Sequence, residues 1–211
     1  MDKKAIIYDF DNTMYSVKSI GEELFSSLFD LIESTGEHNQ NMNDIRKDLM
    51  GKPFQVVAKK YRFSDELKQQ CTQLLRTLTY KGEIRTFEDY QEIMRIPGDR
   101  YLVTTGFSGL QWSKIRRMGI EGDFHEIHVV DPDTSIRTKK DVFADIIQRK
   151  GYPVSAVLVV GDDPDSEIGA AKELGIDTAL IDKDDQHSDK EATFRVDNFV
   201  ALKEKLKEWV R

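Results

Sequence analysis

An α/β fold is predicted, with a parallel sheet covered on both faces and a helical insertion after its first strand. Three observations point to it. Short apolar runs alternate with amphipathic stretches of helical period along most of the chain. Several of those runs are continuously apolar, as in parallel strands buried on both faces. The alternation lapses only between Tyr15 and Ile96, where helical patterns occur without a convincing strand.

The elements follow in order. Strands are expected at 4–9, 100–104, 126–130, 156–160, 178–181 and 193–196. Helices over 110–118 and 139–150 end at Gly119 and Gly151, and one over 165–174 ends at Gly175, each a glycine stop. The last helix, 198–210, places Phe199, Leu202, Leu206, Trp209 and Val210 on one face. In the insertion, Ile20, Leu24, Leu28, Leu31 and Ile32 form one apolar stripe. Ser64 is a plausible N-cap for a helix carrying Leu67, Cys71, Leu74, Leu75 and Leu78. The polar run 36–43 reads as a loop, and Pro97-Gly98 marks the return to the sheet. The division is thus a core of residues 1–15 and 97–211 and a helical cap of residues 16–96.

Composition narrows the function classes. The 211 residues are 33% charged and 39% hydrophobic with a net charge of −7. That acid excess argues against a general nucleic-acid binder, and no apolar run is long enough to span a membrane. The first residues lead directly into a strand rather than a signal peptide. Cys71 is the one cysteine, which fits a reducing, cytoplasmic setting. Oligomeric state is not readable from the pattern.

Four clusters carry the chemistry, each after a predicted strand, where open α/β sheets bind ligands. Asp9-Phe10-Asp11-Asn12-Thr13 brings two carboxylates together, an arrangement that costs repulsion unless a cation or shared proton offsets it. One could be a nucleophile and the other an acid/base; the plainer reading is an Asp-rich turn. Thr104-Thr105-Gly106 offers a hydroxyl and backbone amides to a phosphoryl oxygen. Arg137-Thr138-Lys139-Lys140 puts cations at a helix start, where they are unfavourable unless an anion is near. The run Gly161-Asp162-Asp163 with Glu167 is a carboxylate cluster suited to a hard cation.

In order and spacing these clusters resemble the haloacid dehalogenase-like hydrolase superfamily, in its phosphatase branch with a helical cap. Asp9-Phe10-Asp11-Asn12-Thr13 is similar to its first motif, Thr104-Thr105-Gly106 to its second, Lys139 or Lys140 to its third, and Gly161-Asp162 with Glu167 to its fourth. The stretch from Ser166 to Ile176 follows the same pattern. Asp9-Phe10-Asp11-Asn12-Thr13-Met14-Tyr15 is further similar to members called pyrimidine 5′-nucleotidases.

The resemblance implies a Rossmann-like core and a magnesium-dependent phosphohydrolase acting on a small phosphorylated metabolite, a nucleotide or sugar phosphate among the candidates. Asp9 would form an aspartyl-phosphate and Asp11 would serve as acid, then base. Thr104 and Lys139 would neutralise phosphoryl oxygens, with Thr105 and Gly106 also binding phosphate. Mg2+ would be held by Asp9, the carbonyl of Asp11, and Asp162. The presence of Asp11 separates the chain from the superfamily's dehalogenases. In one respect the chain departs from the family: counting back from Phe143, the usual lysine spacing falls on Arg137, and Lys139 is preferred over Arg137 and Lys140. A phosphotransferase or mutase using the same intermediate is the alternative, as is a non-catalytic binding module on this fold. The cap would select the leaving group, with Tyr15, Arg46, Lys52, Lys60, Arg62 and Arg76 as its polar candidates.

Overall fold

The computed structural model describes residues 3–37, 41–183, 185 and 187–209. Its centre is one parallel sheet of six strands: β1 (Ala5–Tyr8), β2 (Asp99–Thr105), β3 (Glu126–Val130), β4 (Val157–Gly161), β5 (Asp177–Ile181) and β6 (Phe194–Val196). The spatial order is β3-β2-β1-β4-β5-β6. The first strand therefore sits in the middle, with Ile7 paired to Tyr101 of β2 on one side and to Val159 of β4 on the other. The strand order reverses at β1 and β4, which opens a crevice at their carboxyl ends.

All four residues of β1 are buried, and the period-2 alternation sends them to two cores. Ile6 and Tyr8 join Leu102, Leu158 and Val160 against helices α6 (Ser108–Met118) and α9 (Phe199–Trp209). Ala5 and Ile7 join Tyr101, Val103 and Val159 against α7 (Lys139–Lys150) and α8 (Glu167–Glu173). This double burial is why the strands read as unbroken apolar runs.

All six expected strands are present, within a residue at each end. Helix α8 starts at Glu167 rather than residue 165. Asp163 accounts for the delay, since its Oδ1 accepts from the Asp165 and Ser166 amides at 2.8 and 3.2 Å and holds the chain in a turn. Helix α9 buries Phe199, Leu202 and Leu206. The side chain of Trp209, and Val210, lie outside the described residues, as do residues 38–40 of the expected polar loop.

The insertion contains α1 (Gly21–Leu24), α2 (Ser26–Thr35), α3 (Met42–Leu49), α4 (Phe54–Lys60) and α5 (Asp65–Thr77). Ser64 caps α5, its side chain accepting from the Leu67 amide. The cysteine of α5, Cys71, is buried, and burial with the nearby Glu37 pushes its thiol up to about 12. Beyond α5 the chain runs back along the core. The Phe87 amide donates to Met14 O at 2.9 Å, and a 3-10 helix at Tyr90–Arg95 packs on α9. Asp89 accepts from the Phe199 amide at 2.5 Å, which anchors the start of α9. Arg76 of α5 reaches Asp133, in the loop after β3, through two hydrogen bonds of 2.6 and 2.9 Å.

Gly161 ends β4 with no room for a side chain. A Cβ there would lie 2.1 Å from Glu167 Oε1. Gly161→Ala is expected to cost about 1–3 kcal/mol, the range for overpacking a filled interior. Chemical denaturation measures this, and an unchanged midpoint would refute the close packing.

Candidate active site

The carboxyl ends of β1, β2 and β4 meet in one cavity, lined by Asp9, Asp11, Thr104, Thr105, Gly106, Lys139, Asp162 and Glu167 among others. Each arrives by a local device. The Asp9 amide donates to Val160 O at 2.8 Å, continuing the sheet by one residue past β1. The chain then turns through Asn12, whose φ of 57° is left-handed and whose Oδ1 accepts from the Val17 amide at 3.0 Å. This turn folds Thr13 back, so that its hydroxyl donates to Asp162 Oδ1 at 3.1 Å and lies 3.5 Å from Asp9 Oδ2.

Lys139 is the first residue of α7. Thr138 and Asp141 close a capping box immediately before it, which fixes where the helix begins. Its buried ammonium lies 2.6 Å from Asp9 Oδ1 and 2.7 Å from Glu167 Oε2. The anions anticipated beside a cationic helix start are these two carboxylates. Of the other two candidates, Lys140 pairs with Glu173 on the surface at 2.6 Å, and Arg137 is exposed.

Asp9, Asp162 and Glu167 each present a carboxylate oxygen within 4.8 Å of the others. Three acids therefore share one ammonium. Burial, aided by the charge of Glu167 and opposed by Lys139, pushes the Asp9 carboxyl up to about 7. Burial, then Glu167 and Asp9, hold Asp162 well above the usual carboxylate range. Lys139 stays protonated: burial works against its charge, but Asp9 and Glu167 outweigh it. An all-oxygen, charge-deficient set of this kind fits a hard divalent cation such as Mg2+. Glu167 is partly engaged already, since its Oε1 accepts from the Asp163 amide at 2.8 Å.

The side chain of Asp11 lies apart from that group. Lys114 donates to its Oδ1 at 2.5 Å, Gln111 donates to its Oδ2 at 2.7 Å, and the Tyr15 hydroxyl also donates to Oδ1. Burial would raise the Asp11 carboxyl, but Lys114 and these donors bring it below its ordinary value. Gln111 also donates to Thr104 Oγ1 at 2.6 Å, joining β1 to β2 through one amide. The Gly106 amide donates to Val130 O at 3.0 Å and so serves the sheet.

Residue-type reasoning missed Lys114, Gln111 and Thr13. Lys114 is a buried lysine one residue before Ile115 in the apolar part of α6, three residues after Gln111. That i, i+3 pair on the helix just after the Thr104-Thr105-Gly106 turn was the available signal. Of the polar cap candidates, Tyr15 meets Asp11 and Lys52 lines the cavity. Arg46 pairs with Glu22 and Glu33, Lys60 with Asp48, and Arg76 with Asp133. Arg62 is exposed.

Residues 3–175 match the sequence profile of the haloacid dehalogenase-like hydrolase family. The chain belongs to that family. This haloacid dehalogenase-like hydrolase is 23% identical over 225 residues to a protein named glyceraldehyde 3-phosphate phosphatase from Methanopyrus kandleri, covering 92% of this chain and 93% of that one. It is 26% identical over 207 residues to the protein of the same name from Methanocaldococcus jannaschii, covering 88% and 91%. Its fold is similar to that of a haloacid dehalogenase-like family hydrolase from Streptococcus pneumoniae, with a TM-score of 0.73, 15% identity and 99% coverage of both chains. Among the described residues, no helix is long and apolar enough to cross a membrane.

The charge deficit sets a pH dependence. The Asp9 carboxyl is raised from 3.8 to about 7 in the fold, so the metal-free protein loses this group's stabilising protonation as pH climbs through that window. A cation must displace that proton below about pH 7. Added Mg2+ is expected to raise the melting temperature by several degrees at pH 8 and by clearly less at pH 5.5. Differential scanning calorimetry checks this, and equal shifts at both pH values would contradict it.

Proposed function

We propose that this phosphoric monoester hydrolase cleaves a small phosphate monoester through an aspartyl-phosphate on Asp9, with Mg2+ as cofactor. One observation carries the reading: Asp9 stands at the end of the central strand, held by Lys139, in the same cavity as Asp11 and beside Asp162 and Glu167. Asp9, the carbonyl of Asp11 and Asp162, with Glu167 close by, would hold the cation. When bound, it adds the positive charge that three carboxylates and an incoming phosphate lack.

In the first step a carboxylate oxygen of Asp9 attacks phosphorus, and the bond from phosphorus to the ester oxygen breaks. Asp11, charged in the free site through Lys114, Gln111 and Tyr15, would take up the proton that a singly protonated phosphoryl group brings and give it to the departing alcohol. In the second step Asp11 takes a proton from water, the water oxygen attacks phosphorus, and the bond to Asp9 breaks to regenerate the carboxylate. Thr104 accepts from Gln111, which leaves its own hydrogen to donate toward a phosphoryl oxygen. Lys139 places a second positive charge there. Lys114, Gln111 and Tyr15 hold Asp11 in one orientation, so that the proton leaves and returns at a fixed place.

Within the helical cap of residues 16–96, the part up to α5 acts in this reading as a lid that keeps bulk water out and forms the leaving-group side of the pocket. Leu28, Leu49, Phe54 and Leu75 of that insertion line the same cavity as Asp9. The names of the two relatives support a substrate of three-carbon size, and the buried single cysteine suits a cytoplasmic setting.

Asp9→Asn is expected to reduce turnover at least a thousandfold with Mg2+ present. The same variant should melt no lower than the parent in the absence of metal, because the amide removes a buried charge. Turnover by the folded variant within a hundredfold of the parent would reject Asp9 as the nucleophile. Lys114→Met is expected to lower kcat at least tenfold with a smaller change in KM, since Asp11 would lose its charged partner. Steady-state kinetics on one phosphate ester decides it, and an unchanged kcat would remove Lys114 from the machinery.

A further inference from the structure

The cavity over Asp9 has two kinds of wall. Its floor is charged, with Asp9, Lys139 and Asp162. The side supplied by the insertion is apolar, with Leu28, Leu49, Met50, Phe54 and Leu75. Among the described residues, only Lys52 and Gln55 bring polar side chains from the insertion to the cavity, and the Lys52 ammonium lies 3.0 Å from Asp48 Oδ1. Arg46, Lys60, Lys68 and Arg76 of the insertion are paired with acids and do not line it. The free volume is about 130 Å³. An apolar cavity of about 150 Å³ holds one benzene ring. That space suits a phosphoryl group and a few further heavy atoms against the apolar wall, and a ribose with its base or a six-carbon sugar would extend past it toward the open side of the cavity.

We infer that the site selects a short, weakly polar leaving group: the monophosphate of a small alkyl alcohol, about two to four carbons long by that volume comparison, in preference to polyhydroxylated phosphates and nucleotides. This inference rests on the phosphohydrolase reading above and adds the chemistry of the leaving group to it. A substrate hydroxyl turned toward Leu49 or Phe54 would lose its water and gain no hydrogen-bond partner. Apolar pockets reject an added hydroxyl only modestly, by about a hundredfold at most. The selection should therefore appear as a graded preference.

The test measures kcat/KM with Mg2+ for n-propyl phosphate, glycerol 1-phosphate, glyceraldehyde 3-phosphate, glucose 6-phosphate and AMP. Acetyl phosphate, small and activated, serves as the reference. The expected result is a ten- to hundredfold preference for n-propyl phosphate over glycerol 1-phosphate, with glucose 6-phosphate and AMP lower still. Met50→Gln replaces a half-buried wall residue with a polar side chain of similar length. It is expected to raise the ratio of glycerol 1-phosphate to n-propyl phosphate activity several-fold. Because both substrates are measured on one protein, partial loss of folding cancels from that ratio. Glycerol 1-phosphate or glyceraldehyde 3-phosphate turned over as well as n-propyl phosphate would overturn the inference and leave the phosphohydrolase reading standing. An unchanged ratio in Met50→Gln would likewise overturn the wall's role. Failure to hydrolyse even acetyl phosphate would overturn the phosphohydrolase reading itself, and this inference with it.

Discussion

The buried ammonium of Lys139, between Asp9 and Glu167, is the interaction on which the site depends. Without it, three carboxylates at the ends of β1 and β4 would face one another in a water-poor crevice. Ionising a buried acid is costly unless it is paired, and one lysine cannot pair three. The fold accepts a residual imbalance here and spends local structure to hold it. The capping box at Thr138 aims the lysine, the missing side chain at Gly161 admits Glu167, and the left-handed turn at Asn12 brings in the Thr13 hydroxyl.

A second ion pair keeps the two aspartates distinct. Asp9 and Asp11 are near neighbours in sequence, yet their partners pull them toward opposite behaviour. Burial beside Glu167 makes Asp9 reluctant to ionise, whereas Lys114 and two further donors favour the charged form of Asp11. In the proposed roles both preferences reverse on loading: a cation beside Asp9 would favour its charged form, and an anionic phosphoryl group beside Asp11 would favour its protonated form.

Much of the core was legible because its signals are local. The central strands β1 and β4 are continuous apolar runs, and Gly119, Gly151 and Gly175 all adopt left-handed backbone at helix ends. The strand-end clusters were equally visible, since parallel topology gathers them at one edge. What escaped was non-local. Lys114 is 103 residues from Asp11, and only the folded α6 shows that it points into the crevice. The stretch after α5 has no periodicity to betray that Asp89 and Ile93 pack onto the core through α9. The surface cations of the insertion were indistinguishable by type from pocket-lining ones. Arg46 and Lys60 turn out to serve ion pairs on the helices' outer faces.

The central placement of β1 also bears on biosynthesis. Of the six strands β1 is made before the others, but its neighbours are Asp99–Thr105 and Val157–Gly161. At roughly 5–20 residues per second, β4 follows about 7–30 s later. Until Asp99–Thr105 is made both backbone edges of β1 lack their final partners, and until Val157–Gly161 follows one edge still does. The inserted helices are built from contacts between nearby residues and can form meanwhile. The strand that leads to Asp9 is thus made before the others yet is fully paired only once β4 follows, so β1 is the strand of the nascent sheet that most needs shielding.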